Sequence, residues 1–131
     1  MADESYPEDL RYHPEHDWAR VEGDQATFGI TWYAQDTLGE VVFFEPPEVG
    51  TALVKDQPYA EVESVKAVSD VIAPMSGEVT EVNDSLSDAP EKINQDPYGD
   101  GWMVKVKLSD PSEADALMDA AAYKKLLEDS D

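Results

Sequence analysis

The sequence predicts an all-β domain with a minor helical component, and three observations carry that expectation. Short runs alternate apolar and polar residues, as in Ala60-Glu61-Val62-Glu63 and Glu78-Val79-Thr80-Glu81-Val82. Turn-forming glycines and prolines separate those runs. A longer helical period with a three-part start signal emerges beyond Asp110.

Taken in order, residues 1–10 are expected to form a disordered or loosely held tip, and residues 11–131 a single domain with a helical appendage over 110–131. Trp18–Glu22 and Ala26–Ile30 read as a hairpin around Gly23-Asp24, since both turn residues tolerate positive φ. Residues 31–38 make about two helical turns: Thr31 can N-cap them and Gly39 stands where a helix stops. Val41–Glu45 is dense in β-branched and aromatic residues and reads as a buried strand ended by Pro46-Pro47. Three more strands follow at 58–63, 68–73 and 78–82. Residues 83–101, with Pro90, Pro97, Gly99 and Gly101, read as a long surface loop, and Trp102–Leu108 as a strand. Near 111–128 a helical segment is expected. Asp110 is its N-cap acid, Pro111 its first residue and Glu113 its third, ahead of a stripe of Leu117, Met118, Ala121, Ala122, Leu126 and Leu127.

A chain of 131 residues is long enough to bury roughly two-thirds of its unfolded surface, and 41% apolar content with six Tyr, three Phe and three Trp supplies a core. Thirty acidic against nine basic residues give a net charge of −21. That field repels phosphate backbones and anionic lipid, which argues against nucleic-acid and membrane partners and for docking into basic clefts of larger proteins. Solubility or adaptation to high salt accounts for the same charge equally well. Cysteine is absent, removing disulfides, thiolate catalysis and Cys-ligated metals. No apolar run approaches the ~20 residues of a membrane span. The acidic Met1–Leu10 stretch is unlike a secretory signal or presequence, so a cytoplasmic protein is expected, although a trimmed organellar form would read the same way.

Nothing in the chain assembles a catalytic centre. His13 and His16 share one segment with no nucleophile elbow nearby, and Asp96–Gly101 lacks the alternating ligands of a calcium loop. The informative segment is Glu63-Ser64-Val65-Lys66-Ala67-Val68-Ser69-Asp70. Lys66 is the only basic residue between Lys55 and Lys92, and strands on either side place it at or near a hairpin tip. Such a lysine suits a modifying enzyme, because rigid flanks lower the ordering cost of docking. An ordinary exposed lysine in a turn would look the same. Pro47-Glu48-Val49-Gly50 is faintly echoed by Pro74-Met75-Ser76-Gly77 on the other side of Lys66.

The octet Glu63–Asp70 resembles the lipoylation motif of glycine cleavage H proteins, and other blocks follow that family in order. They are His16-Asp17-Trp18, Gly29-Ile30-Thr31, Ala34-Gln35, Leu38-Gly39, Gly39–Val42, Pro47–Gly50, Pro74–Val79, Asn94–Tyr98 and Gly101-Trp102. The resemblance spans about residues 11 to 128. It implies a lipoyl/biotinyl-domain-like flattened barrel (a barrel-sandwich hybrid) of two antiparallel sheets. Gly50 and Gly77 stand where that fold turns its two half-sheets. Biotinyl carriers share the fold, but their lysine is typically flanked by methionines, whereas Val65 and Ala67 flank Lys66 here.

The same resemblance implies a non-catalytic carrier with lipoic acid amide-linked to Lys66, within a modification motif of Glu63, Ser64, Val65, Ala67 and Asp70. Its partners would be glycine decarboxylase (P protein), the aminomethyltransferase (T protein), dihydrolipoamide dehydrogenase (L protein) and lipoate-attaching enzymes. An aminomethyl group would pass from the first to the second, and the third would reoxidise the arm. The resemblance further implies an arm cleft, for which His16, Asp17 and Asp70 are candidates; solvated surface charge is the competing reading of both acids. No metal is expected, and a monomer when not docked. Three departures from the family stand out: Asp17 for the usual Glu, Trp32 where many members have Asp, and Pro46 where Leu is common. Alternatives are a lipoyl donor for 2-oxoacid dehydrogenases and an unmodified interaction module of the same fold.

Overall fold

The computed structural model describes residues 4–129. Its elements are β1 (Arg11–His13), β2 (Asp17–Glu22), β3 (Gln25–Ile30), α1 (Trp32–Leu38), β4 (Val41–Glu45), β5 (Ala52–Leu53), β6 (Pro58–Ser64) and β7 (Val68–Ile72). There follow β8 (Gly77–Val82), α2 (Ser85–Asp88), α3 (Lys92–Gln95), β9 (Val104–Leu108), a 3-10 turn over Pro111–Ala116 and α4 (Ala120–Asp129). The strands form an antiparallel six-stranded sheet in the order β1-β2-β3-β9-β8-β5 and an antiparallel three-stranded sheet in the order β4-β6-β7. Among the described residues no pairing closes either sheet into a ring.

Alternation explains most of this. Val104, Val106 and Leu108 point inward from β9 while Lys105 and Lys107 stay in solvent, the signature of a sheet with one wet face. They pack with Phe28, Leu53, Met75 and Val79. A second cluster joins Phe44, Val62 and Val71 of the small sheet to Leu86, Ile93 and Met103. Tyr59 packs against both clusters, so the two sheets share one interior.

The β2–β3 hairpin turns at the expected pair, with Gly23 at φ 67° in the first turn position, where glycine is required by a type II′ turn. Helix α1 also starts as expected: the Thr31 hydroxyl accepts from the Ala34 N–H at 3.2 Å.

Elsewhere the structure corrects the sequence reading. Strands β1 and β5 were not foreseen, because three and two residues are too few to show a period. The stretch 83–101 is not a surface loop: it holds the one-turn helices α2 and α3, and Leu86 and Ile93 anchor them in the core. The helical segment near 111–128 divides in two. Asp110 does cap its start, accepting from the Ser112 N–H at 3.1 Å, but the Met118 backbone leaves the helix to pair with Tyr12. Asp119 then opens α4 by accepting from the Ala122 N–H at 2.8 Å. The buried residues of α4 are Ala120, Tyr123 and Leu127, while Ala121 and Ala122 of the expected stripe are exposed.

The N-terminal segment is packed where it is described. Tyr6 and Leu10 are buried with Tyr12, Trp18, Tyr123 and Leu127, in contrast to a loosely held tip. The Tyr12 and Tyr123 rings stack at 4.8 Å, with Tyr6 edge-on to Tyr123 at 5.5 Å. Residues 1–3 and 130–131 lie outside the described residues.

Strand β4 is only partly buried. Val41 and Phe44 are buried as a buried strand requires, but Val42 and Phe43 both face solvent. The register against β6 shifts between Val41 and Phe43, so one extra residue is accommodated there and strict alternation breaks.

Candidate functional site

Lys66 occupies the turn between β6 and β7 and is exposed, as are Val65 and Ala67. Ser64 organises that turn. Its N–H donates to the Ala67 carbonyl at 2.8 Å, and its Oγ accepts from the N–H groups of Ala67 at 3.1 Å and Lys66 at 3.3 Å. A serine hydroxyl that captures nearby backbone donors stabilises a turn against fraying. The Val65 N–H adds a bond to the Glu40 carbonyl at 3.1 Å, fastening the hairpin tip to the turn that follows α1.

Gly39 ends α1 at φ 82°, a backbone region costly for side-chain-bearing residues. A Cβ built there would stand 3.5 Å from Lys66 Cε, so the lysine stem lies across this glycine. The seat beneath is held by buried amides. Asn94 Nδ2 donates to the Gly39 carbonyl at 2.8 Å and to Gln35 Oε1 at 3.0 Å, while Asn94 Oδ1 accepts from the Val41 N–H at 2.9 Å. Gln35 Nε2 in turn donates to the Trp32 carbonyl. Sequence reasoning quoted Asn94 and Gln35 without giving either a task; no local signal marks a buried amide, because its partners are distant along the chain.

Beside the hairpin lies a cleft of about 270 Å³ lined by residues that include His16, Asp17, Tyr33, Leu38, Val62 and Asp70. Leu38 adjoins Gly39, which puts the cleft next to the Lys66 stem. Asp17 is only 2% exposed, and its Oδ2 has no hydrogen-bond partner among the described residues. Burial pushes this carboxyl well above the usual range, the negative charge of Glu15 adds to the shift, and a backbone bond from Ile72 opposes it. A buried carboxyl oxygen without a partner favours the neutral, protonated acid.

His16 sits at φ 75°, in the bend between β1 and β2, and its ring packs on Tyr33 at 4.7 Å. Its Nδ1 shares a 2.8 Å hydrogen bond with the Tyr123 hydroxyl, which also meets Thr31 Oγ1 at 2.8 Å. Burial lowers the imidazole pKa, partly opposed by Glu15. Asp70 differs from Asp17: it is exposed on the cleft rim, and strand register pairs it with Glu61. Glu63 is half-buried between Phe43 and Val68 in the register of the small sheet. The structure thus gathers His16, Asp17 and Asp70 around one cleft next to Lys66. Among the described residues no group of three or more His, Asp or Glu side chains could hold a metal ion. No helix among them is long and apolar enough to cross a membrane.

Relatives share both the chain and its shape. A glycine cleavage system H protein from Symbiobacterium thermophilum is 58% identical over 117 residues, covering 89% of this chain and 91% of the relative. A probable glycine cleavage system H protein from Haloarcula marismortui is 55% identical over 122 residues, covering 93% and 96%. The crystal structure of a glycine cleavage system H protein from Mycobacterium marinum superposes with a TM-score of 0.85 at 38% identity, covering 93% of this chain and 98% of that one. The family model described as glycine cleavage H-protein matches residues 10–130, and the chain belongs to that family.

Proposed function

We propose that this protein is the lipoyl carrier of a glycine cleavage system, with lipoic acid amide-linked to Lys66 and residues 11–131 acting as one carrier domain. The observation that carries the reading is the pairing of an exposed lysine on a braced hairpin with an adjacent cleft lined by the buried Asp17. When bound, the lipoyl group supplies a disulfide on a long apolar tether that can accept, and later surrender, an aminomethyl cargo. The chain's own residues do the rest. Ser64 and Gly39 hold the attachment point in one place, so a visiting enzyme meets a preformed target.

The cleft fits such an arm. Its volume equals about nine waters at ~30 Å³ each, and Leu38, Val62 and Tyr33 give it apolar walls. Each arm methylene withdrawn from water there gains ~0.8 kcal/mol, offset in part by lost torsional freedom. Asp17 lines this cleft and is the carboxyl assigned to a cargo amine, whose charge-assisted hydrogen bond would favour the ionised form. Asp70 stands at the rim, and His16, fixed by its hydrogen bond to Tyr123, lines the wall. Turnover then requires partners: glycine decarboxylase, the aminomethyltransferase, dihydrolipoamide dehydrogenase and a lipoate-attaching enzyme.

Mass mapping of the protein from its native host should find the acyl group on the peptide containing Lys66. Lys66→Arg should abolish turnover of the reconstituted system and leave the melting temperature unchanged. Turnover that survives this substitution would refute the assignment.

A further inference from the structure

We propose that the outward face of the β4-β6-β7 sheet is the docking face for the enzymes that act on the arm, and that they meet it with an apolar surface rimmed by lysine and arginine side chains. The inference rests on the assignment of Lys66 as the attachment point. Six large hydrophobic side chains are well exposed among the described residues. Four of them surround the Lys66 hairpin: Val42 at 46%, Phe43 at 47%, Val65 at 69% and Val68 at 61%. Scattered exposed valines need no explanation, but a cluster beside a modified residue does.

The bulge in β4 adds Phe43 to the cluster. Strict alternation from Val41 would turn Phe43 inward; the extra residue leaves both Val42 and Phe43 outside while Phe44 regains the core. Register then lines Phe43, Glu63 and Val68 in one cross-strand row. The neighbouring row is Glu45, Glu61 and Asp70, three acids side by side. Like charges directly opposite one another destabilise a sheet, and no cation on these strands offsets them. Lys66, the one cation of the hairpin, loses its charge on acylation, so the finished carrier shows an apolar centre edged by uncompensated carboxylates. That field repels phosphates and attracts basic side chains, which selects a protein partner over nucleic acid or anionic lipid. An apolar centre with a polar rim is also how protein interfaces are built.

The test uses the full acylated chain as the varied substrate of glycine decarboxylase and of dihydrolipoamide dehydrogenase, with acylation of Lys66 confirmed by mass in every variant. Phe43→Ser and Val68→Ser should each raise KM about ten-fold and leave kcat at saturation within about two-fold. Val49→Ser and Val54→Ser alter equally exposed valines between β4 and β6 and should leave KM unchanged. A Glu45→Gln/Glu61→Gln pair should flatten the rise of KM with salt, which the serine variants should leave intact. Wild-type KM in both Phe43→Ser and Val68→Ser, or an equal rise in the Val49→Ser and Val54→Ser controls, overturns the docking face. Absence of acylation at Lys66 in the wild-type chain would instead overturn the reading beneath it.

Discussion

Strands β4 and β9 are each five residues long and rich in valine, yet they treat solvent in opposite ways. Strand β9 lies inside the six-stranded sheet, with β3 and β8 on its two sides, and every second residue is buried. Strand β4 lies at an edge of the small sheet, bulges after Val41 and exposes two apolar residues in succession. A central strand has its register set from both sides, and a slip would carry Val104, Val106 and Leu108 into water. An edge strand has one paired side and can absorb an extra residue. Stability and presentation are thereby separated: the large sheet and its aromatic cluster hold the molecule together, while the small sheet displays Lys66.

The largest way to break that division is to attack the stabilising region. Tyr123 is fully buried, stacks on Tyr12 and hydrogen-bonds both His16 and Thr31. Tyr123→Ala should lose about 3–5 kcal/mol in denaturant titrations, as other buried aromatic truncations do. Acylation of Lys66, measured at a temperature where the variant is folded, should proceed at the wild-type rate. A variant that folds stably but resists acylation would show that the two regions are coupled after all.

A smaller effect sharpens the comparison, because the chain contains two buried asparagines with similar work and different neighbours. Asn94 braces Gly39 and Val41 beneath the Lys66 stem. Asn83 donates to the Asp100 and Trp102 carbonyls and accepts from Ser85, away from the hairpin. Either alanine variant should cost about 2–3 kcal/mol, the penalty of leaving buried partners unsatisfied. Only Asn94→Ala should also slow acylation of Lys66, since only there does the proposed attachment seat loosen. Equal acylation rates in the two variants would remove the seat from the account.

What the sequence made legible follows the same physics. The β2–β3 hairpin, the Thr31 cap of α1 and strands β6 to β8 were readable because alternation and capping are local. Lys66 was readable as a lone cation between strands and through its motif. The β4 bulge was not, since Val41-Val42-Phe43-Phe44 is equally apolar whichever residue faces out. Tyr123, Gln35 and Asn94 were invisible as organisers because each acts on partners remote in sequence. The C-terminal segment misled for a related reason: its period ran through Met118, whose backbone is claimed by Tyr12 more than a hundred residues earlier. Asp17 was flagged by resemblance, but only burial reveals that one of its oxygens is unpaired.

Asp17 supplies the smallest and most pointed prediction, because at this residue function opposes stability. Its carboxyl pKa is raised in the folded chain, so the folded state binds the proton more tightly than the unfolded one. Stability must therefore fall as pH rises from the unfolded value near ~3.9 toward the raised folded value, with a slope of at most ~1.4 kcal/mol per pH unit. Asp17→Asn cannot ionise and should lose this slope. The variant should match the wild type near pH 4 and exceed it at pH 8, read from denaturant midpoints. On the proposed function the same substitution would also remove the charge assigned to a cargo amine, and release of that cargo to water should quicken. A stability difference that stays constant across pH, or a wild type more stable at pH 8, would mean that the buried carboxyl is already paired.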